Sequence, residues 1–174
     1  MKAVVVYESI FGNTAAVARA VAEGLGPDAQ VLTTDEATDE VVLDADVIVA
    51  GAPVIGFNLA NDKTRAGIGH AESGAPTPPD ISHPSLRTWL EKLPEGHAVA
   101  AAFETRIWWS PRGATGTIEK GLRRAGFRPI AKAEKFVVEG KYGPLRDGEL
   151  DRARAWGHEL AVVTGTSNGG PADG

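Results

Sequence analysis

The chain contains no cysteine. That excludes disulfides, cysteine-ligated zinc, iron–sulfur clusters and thiol redox chemistry, so any redox activity has to reside in a bound cofactor. No apolar run approaches membrane-spanning length. Only Met1 to Ala3 precede the first apolar strand, which leaves no room for a signal peptide. The expectation is a cytoplasmic protein that does not engage a membrane. Positive charge is scarce in the first hundred residues, where 6 Lys and Arg face 14 Asp and Glu, whereas residues 101–174 carry 12 against 9. Such a distribution lacks the domain-wide basic excess of a nucleic-acid binder and instead gives a polarised surface. Aromatic residues make up only 6% of the chain, so an adjacent pair, Trp108 and Trp109, stands out.

At 174 residues the length is that of one domain, sufficient to bury a core without metal or disulfide support. Residues 1–163 are expected to form it. The tail 164–174 (TGTSNGGPADG) has the composition of a disordered segment. No feature favours a dimer over a monomer.

The chain is organised around Val4 to Leu25. A β-branched run ends at Tyr7, a hydroxyl-and-glycine turn follows, and a helical pattern with Val17, Val21 and Leu25 on one face begins at once. The intervening loop ESIFGNT offers the Ser9 and Thr14 hydroxyls, the Asn13 amide, and backbone N–H groups around Gly12 and the first helical turn. These groups can hold a phosphate. The loop is not a Walker A sequence, which needs a Lys after the glycine, nor a dinucleotide fingerprint, which needs three spaced glycines.

Further along, strands and helices alternate: Gln30–Thr33 as a strand, 35–43 as an acidic connection, Asp46–Ala50 as a strand and Ser85–Leu93 as a helix. Then follow a strand over Ala98–Phe103, a helix over Thr117–Ala125 closed by Gly126, a strand near Ile130–Val138 and a helix over Gly148–Val163. Near-continuous apolar strands alternating with helices predict a parallel sheet covered on both faces. Trp89 and Trp156 fall within helix patterns and are expected to pack in the core.

The first stretch resembles the flavodoxin family signature, whose offsets are met by Val5, Val6, Tyr7, Ser9, Gly12, Thr14, Ala18 and Val21. The resemblance implies an α/β doubly wound fold with a five-stranded parallel sheet of order 2-1-3-4-5 and a ligand site at the switch point between strands one and three. It also implies non-covalently bound FMN, with Ser9, Ile10, Phe11, Gly12, Asn13 and Thr14 around the phosphate. Two loops would hold the isoalloxazine ring: Pro53, Val54, Ile55, Gly56 and Phe57 on one side, Thr105, Arg106, Trp108 and Trp109 on the other. Gly51 and Pro53 are expected to turn the chain straight after the third strand. Gly56 would let its peptide rotate with flavin redox state. Which of the two tryptophans touches the ring is not legible.

The sequence departs from the family at Phe11, where many relatives carry a hydroxyl, at Ile55, where many carry an aromatic, and at Arg106 and Arg112, which bring positive charge to a loop that is typically acidic in electron carriers. Guanidinium groups beside the ring would stabilise an anionic reduced flavin, receive an anionic substrate, or simply lie solvated. The long segment 58–84 is a candidate lid. Its His70, Glu72, Asp80 and His83 match no ligand spacing and are expected to be solvated. Lys120, Arg123, Arg124, Arg128, Lys132 and Lys135 are expected on a solvated face or against an acidic partner.

Three functions stay open: an FMN electron carrier working with a redox partner protein, an FMN-dependent oxidoreductase acting on a small-molecule acceptor such as a quinone or porphyrin, and a flavodoxin-fold binding module without flavin. A phosphoacceptor receiver domain is excluded. It would need paired acids after strand one and an Asp ending strand three, where Glu8, Ser9 and Gly51, Ala52, Pro53 stand.

Overall fold

In a computed structural model, residues 1–71 and 74–168 are described. Five strand positions run side by side in the order β2 (Gln30–Thr33), β1 (Ala3–Tyr7), β3 (Val47–Ile55), β5 (Val99–Ile107) and a fifth strand in two pieces, β6 (Arg128–Pro129) and β7 (Glu134–Val138). All of these pairings are parallel. In major strands this is the expected 2-1-3-4-5 order. A short antiparallel strand, β4 (Asn58–Leu59), folds back on β3 as an addition to it.

Alternation along the strands sorts the core into two layers. Val4 and Val6 of β1 face one layer with Ile48, Ala100 and Ala102, completed by α4 (Leu86–Lys92) and α5 (Thr115–Arg124). Ala3 and Val5 face the other, with Val47, Val49 and Phe103, completed by α1 (Asn13–Leu25) and α6 (Glu149–Asn168). Trp156 stacks edge-on against Phe103 and Phe136. Trp89 is buried, its indole N–H donating to the Ala37 carbonyl at 3.1 Å. Both tryptophans serve packing, as their helical setting indicates.

The structure corrects several boundaries. β3 and β5 each continue past their expected ends, to Ile55 and Ile107, so the chain does not turn at Gly51 and Pro53. By Pro53 β1 has ended and β3 has one open edge, the setting in which a strand tolerates proline. The acidic connection contains a one-and-a-half-turn helix, α2 (Asp39–Asp44), whose Thr38 side chain accepts the Val41 N–H. The long segment 58–84 contains α3 (Asp62–Ala71). α6 runs to Asn168, five residues into the segment expected to be disordered, and the remaining tail residues lie outside the described ones.

Candidate functional site

The C-terminal ends of β1, β3, β5 and β7 open onto a cleft of about 460 Å³. Its floor begins at the loop after β1. Gly12, at φ 90°, is the N-cap of α1 and has no side chain to cap it, so among the described residues the first N–H groups of the helix have no side-chain acceptor. Ser9 Oγ accepts the Gly12 N–H at 3.2 Å and keeps its own hydrogen to donate. Thr14 Oγ1 lies 2.7 Å from Thr105 Oγ1. One hydroxyl hydrogen is consumed between them, and whichever residue accepts retains a hydrogen for another partner. This bond joins the first turn of α1 directly to β5.

The second wall is a hairpin. Val54 pairs with Leu59 and Ile55 with Asn58, leaving Gly56 and Phe57 as the two turn residues, with φ of 57° and 63°. Positive φ at both central positions is what a two-residue type I′ hairpin requires, and it is uncommon for a bulky residue such as Phe57. The Phe57 ring meets Trp109 edge-on, with centroids 6.0 Å apart. That contact bridges the second and third walls at the rim.

In the third wall Thr105 and Arg106 belong to β5 rather than to a loop. Trp109 lines the cleft, whereas Trp108 is outside it and 67% exposed. Arg106 is mostly buried and pairs with Glu104 at 3.0 Å, so its charge is compensated. Glu104 also accepts the N–H groups of Ala114 and Thr115, at 2.6 and 2.8 Å, and thereby caps α5. The close approach depends on Gly113, where a Cβ would sit 2.3 Å from the carboxylate. Arg112 is exposed.

Of the expected site residues, Ser9, Ile10, Phe11, Asn13, Thr14, Pro53, Val54, Ile55, Gly56, Thr105, Arg106 and Trp109 line the cleft, while Gly12, Phe57 and Trp108 do not. Six lining residues escaped the sequence reading: Ile68 of α3, Ile107, Val138, Glu139, Gly140 and Lys141. The last four belong to the end of β7 and the loop beyond it, which the rule that ligands lie past strand C-termini would have flagged. That loop is fastened to the first one. Tyr142 packs edge-on against Phe11 with centroids 4.8 Å apart, and the Asn13 side-chain amide donates to the Tyr142 carbonyl at 3.1 Å.

Behind the cleft floor lies a buried polar cluster. Glu8 is fully buried and accepts the Leu86 N–H of α4 at 2.9 Å. Arg65 of α3 approaches its other oxygen to 2.9 Å, near enough for an ion pair but without hydrogen-bond alignment. Burial raises the Glu8 carboxyl above its ordinary value, against the lowering effects of the Leu86 N–H and Arg65. Arg65 also donates to the His83 carbonyl, and Asp62 joins the start of α4 through Ser85 and Thr88. Burial would lift Asp62, but these bonds outweigh it and hold its carboxyl low. His83 is therefore buried, contrary to the solvated setting expected of it, while His70 and Asp80 are exposed and Glu72 lies outside the described residues. Among the described residues no group of three metal-binding side chains occurs. Lys120, Arg123, Arg124, Arg128, Lys132 and Lys135 are all exposed. No described helix is long and apolar enough to cross a membrane.

No family model matches the sequence. An uncharacterized protein of Methanocaldococcus jannaschii is 24% identical over 169 residues, a match covering 92% of this chain and 37% of that one. The chain thus spans little more than a third of the curated relative it matches. Among solved structures, a flavodoxin from the domain Archaea superposes with a TM-score of 0.66 at 20% identity, over 95% of this chain and 99% of that one. A WrbA-like flavodoxin from Agrobacterium tumefaciens gives 0.62 at 18%, covering 95% and 98%. The flavodiiron core from Synechocystis gives 0.63 at 17%, covering 96% of this chain and 36% of that one. The chain has the flavodoxin-like fold, in free-standing proteins and as part of larger ones.

Proposed function

We propose that the protein binds FMN non-covalently and passes electrons between a redox partner protein and an acceptor. The observation that carries this reading is the polarity of the cleft. One end gathers hydrogen-bond donors, namely the uncapped first turn of α1 with Ser9 and Thr14. The other is an apolar slot between Val54, Ile55 and Gly56 on one wall and Ile107 and Trp109 on the other. A phosphate fits the first end, because N–H groups and the positive pole of a helix favour an anion. A planar ring fits the second, and the volume lies in the range of small-ligand sites. When bound, the flavin supplies the electron chemistry, and the protein contributes binding, orientation and electrostatics. Trp109 would cover one ring face, held by Phe57, while the Gly56 peptide lies at the opposite wall.

The fold neighbours named flavodoxin support the same assignment. A second reading, an FMN-dependent oxidoreductase taking a small-molecule acceptor such as a quinone or porphyrin, is favoured by α3, because Ile68 brings the long segment to the mouth of the cleft. Turnover of a quinone without any protein partner would select it. The cofactor itself is tested by visible absorbance of the purified protein before and after FMN addition, with a Ser9→Ala/Thr14→Ala variant beside it. A bound-flavin spectrum weakened in the double variant is expected. Wild-type protein that takes up no flavin at high FMN concentration would leave a flavodoxin-fold binding module instead.

A further inference from the structure

Trp108 has no task in the cleft. It lies outside the lining and is the most exposed large apolar side chain among the described residues, although an indole gains much from burial. It does not stand alone. Among the described residues the exposed aromatic side chains are Phe57, Trp108 and Trp109, and all three border the mouth of the cleft. Trp109 meets Phe57 edge-on and follows Trp108 directly in the chain, so the third wall and the tip of the hairpin present one continuous apolar rim. A contiguous exposed patch beside a ligand site marks a contact surface, and tryptophan is enriched among the residues that anchor one.

The charge around the rim says what it contacts. The stretches that carry it hold no acid: 53–61 has no charged residue, and 105–118 has Arg106 and Arg112 alone. Arg106 is spent on Glu104, whereas Arg112 is exposed shortly past Trp109. The rest of that edge of the sheet has the same sign. From 105 to 135, through α5 and β6 to the start of β7, stand eight Lys and Arg against two Asp and Glu. Nearby carboxylates are compensated, Glu134 by Arg152 and Glu139 by Arg146. Among the described residues none of Arg112, Lys120, Arg123, Arg128, Lys132 and Lys135 is in an ion pair. The opposite edge is acidic. Around β2 and α2, residues 28–46 hold seven exposed Asp and Glu and no Lys or Arg. The strand order thus separates the two signs across the width of the sheet and leaves the rim, carried by β3 and β5, on the positive side.

We propose that this rim is the docking surface of the redox partner, and that the partner is an acidic protein whose contact face is an apolar patch bordered by carboxylates. This rests on the flavin reading above. The chain as a whole carries −5, so an acidic partner is not drawn in from afar. At contact the local charges decide, because screening at 0.1 M salt cuts off the remote ones beyond about 10 Å. The indole of Trp108 supplies the apolar anchor.

The test uses FMN-loaded, reduced protein and two one-electron acceptors of opposite sign, the acidic copper protein plastocyanin and the basic haem protein cytochrome c. Two acceptors re-oxidise one flavin, one electron to each metal, and the flavin protons pass to solvent. Stopped-flow rates are compared for wild type, Trp108→Ser, Arg112→Glu and Lys92→Glu, the last making the same change in net charge at the exposed end of α4. Trp108→Ser is expected to slow plastocyanin by about tenfold, the weight of an interface anchor, without changing FMN affinity. Arg112→Glu should slow plastocyanin and speed cytochrome c, more at low salt than at high. Lys92→Glu should do neither. Docking here is overturned if plastocyanin oxidises all four proteins alike, or if Lys92→Glu acts as strongly as Arg112→Glu. It is overturned if Trp108→Ser weakens FMN binding, which would return the rim to the cofactor site. A wild-type dimer in sedimentation that Trp108→Ser dissociates overturns it too, since a second copy then occupies the rim. In all of these the flavin reading stands. Wild-type protein that takes up no FMN overturns both.

Discussion

Two buried glutamates invite comparison. The register aligns Tyr7, Gly51 and Phe103 across three strands, so Glu8 and Glu104 fall at the next level, on either side of Ala52. Both are fully buried, both face the α4 and α5 layer, and each meets the N-terminus of one of those helices and an arginine. The similarity ends at the quality of the contacts. Glu104 takes two helix N–H groups and a well-aligned Arg106. Glu8 takes one N–H and an arginine that is near but misaligned. The reason is where each arginine comes from. Arg106 stands two residues along the same strand, on the same face, so sheet geometry alone aims it at Glu104. Arg65 has to be carried in on α3 by the long segment 58–84. A contact set by strand alternation is reproducible to a fraction of an ångström, whereas one set by a long connection depends on everything that holds that connection in place.

The sharpest way to break the comparison is to remove Arg65. Arg65→Met leaves the Glu8 carboxylate buried without a counter-charge and frees α3 from the His83 carbonyl, and losing one partner of a buried pair costs about 3–5 kcal/mol. Chemical denaturation at pH 8 should show a loss of that order. At pH 5 the loss should be smaller, because Glu8, already raised by burial, can take up a proton and escape the penalty. Adding Glu8→Gln to Arg65→Met should recover part of the stability at pH 8. If the single and double variants are equally unstable at both pH values, Arg65 acts by packing alone.

Glu104→Gln comes next. It keeps the shape but removes the charge from an acceptor serving two helix N–H groups and Arg106, an expected cost of about 2 kcal/mol. The effect should be seen in denaturation midpoints and in faster amide exchange at Ala114 and Thr115. An effect below that of Glu8→Gln at neutral pH would invert the comparison.

The contrast also marks what the sequence could tell. Strand-loop-helix punctuation around Ser9 to Thr14 and the apolar runs of the strands are local patterns, and they lead to the sheet order and to most of the cleft wall. Gln30–Thr33 is read to the residue, and the helix expected from Ser85 starts one residue later, with Ser85 as its N-cap accepting the Thr88 N–H at 3.1 Å. What escapes depends on partners far along the chain. α3 has two glycines and weak periodicity; Asn61 caps it locally, accepting the Thr64 N–H at 2.8 Å, but its place in the fold is set by Arg65 docking at Glu8. The extension of β3 through Pro53 follows from β1 having ended. Glu8 and Glu104 both look like loop acids in sequence, since the helix ends that bury them are 78 and 10 residues away. The loop after β7 joins the cleft only because Tyr142 finds Phe11, which sequence comparison marks merely as a lost hydroxyl.

The smallest expected effect is also the most discriminating. Glu8→Gln retains an acceptor for the Leu86 N–H and should change stability little at neutral pH, since it relieves the burial of one charge while Arg65 keeps Asp62, at 3.6 Å, and the His83 carbonyl as partners. Its signature lies in the pH dependence. Because burial raises the folded-state carboxyl above its ordinary value of 4.5, the folded protein holds the Glu8 proton in a window where the unfolded chain has released it. Stability from Glu8 is then fully present below the unfolded value and is lost as pH rises through the folded one. The difference in stability between wild type and Glu8→Gln should therefore fall from pH 4 to pH 7. Carboxyls held low, such as Asp62, lose their contribution as pH falls and are common to both proteins, so they cancel in the difference. A difference that instead rises with pH would mean that Arg65 and the Leu86 N–H outweigh burial, that Glu8 is as well satisfied as Glu104, and that the long segment positions its arginine as accurately as a strand does.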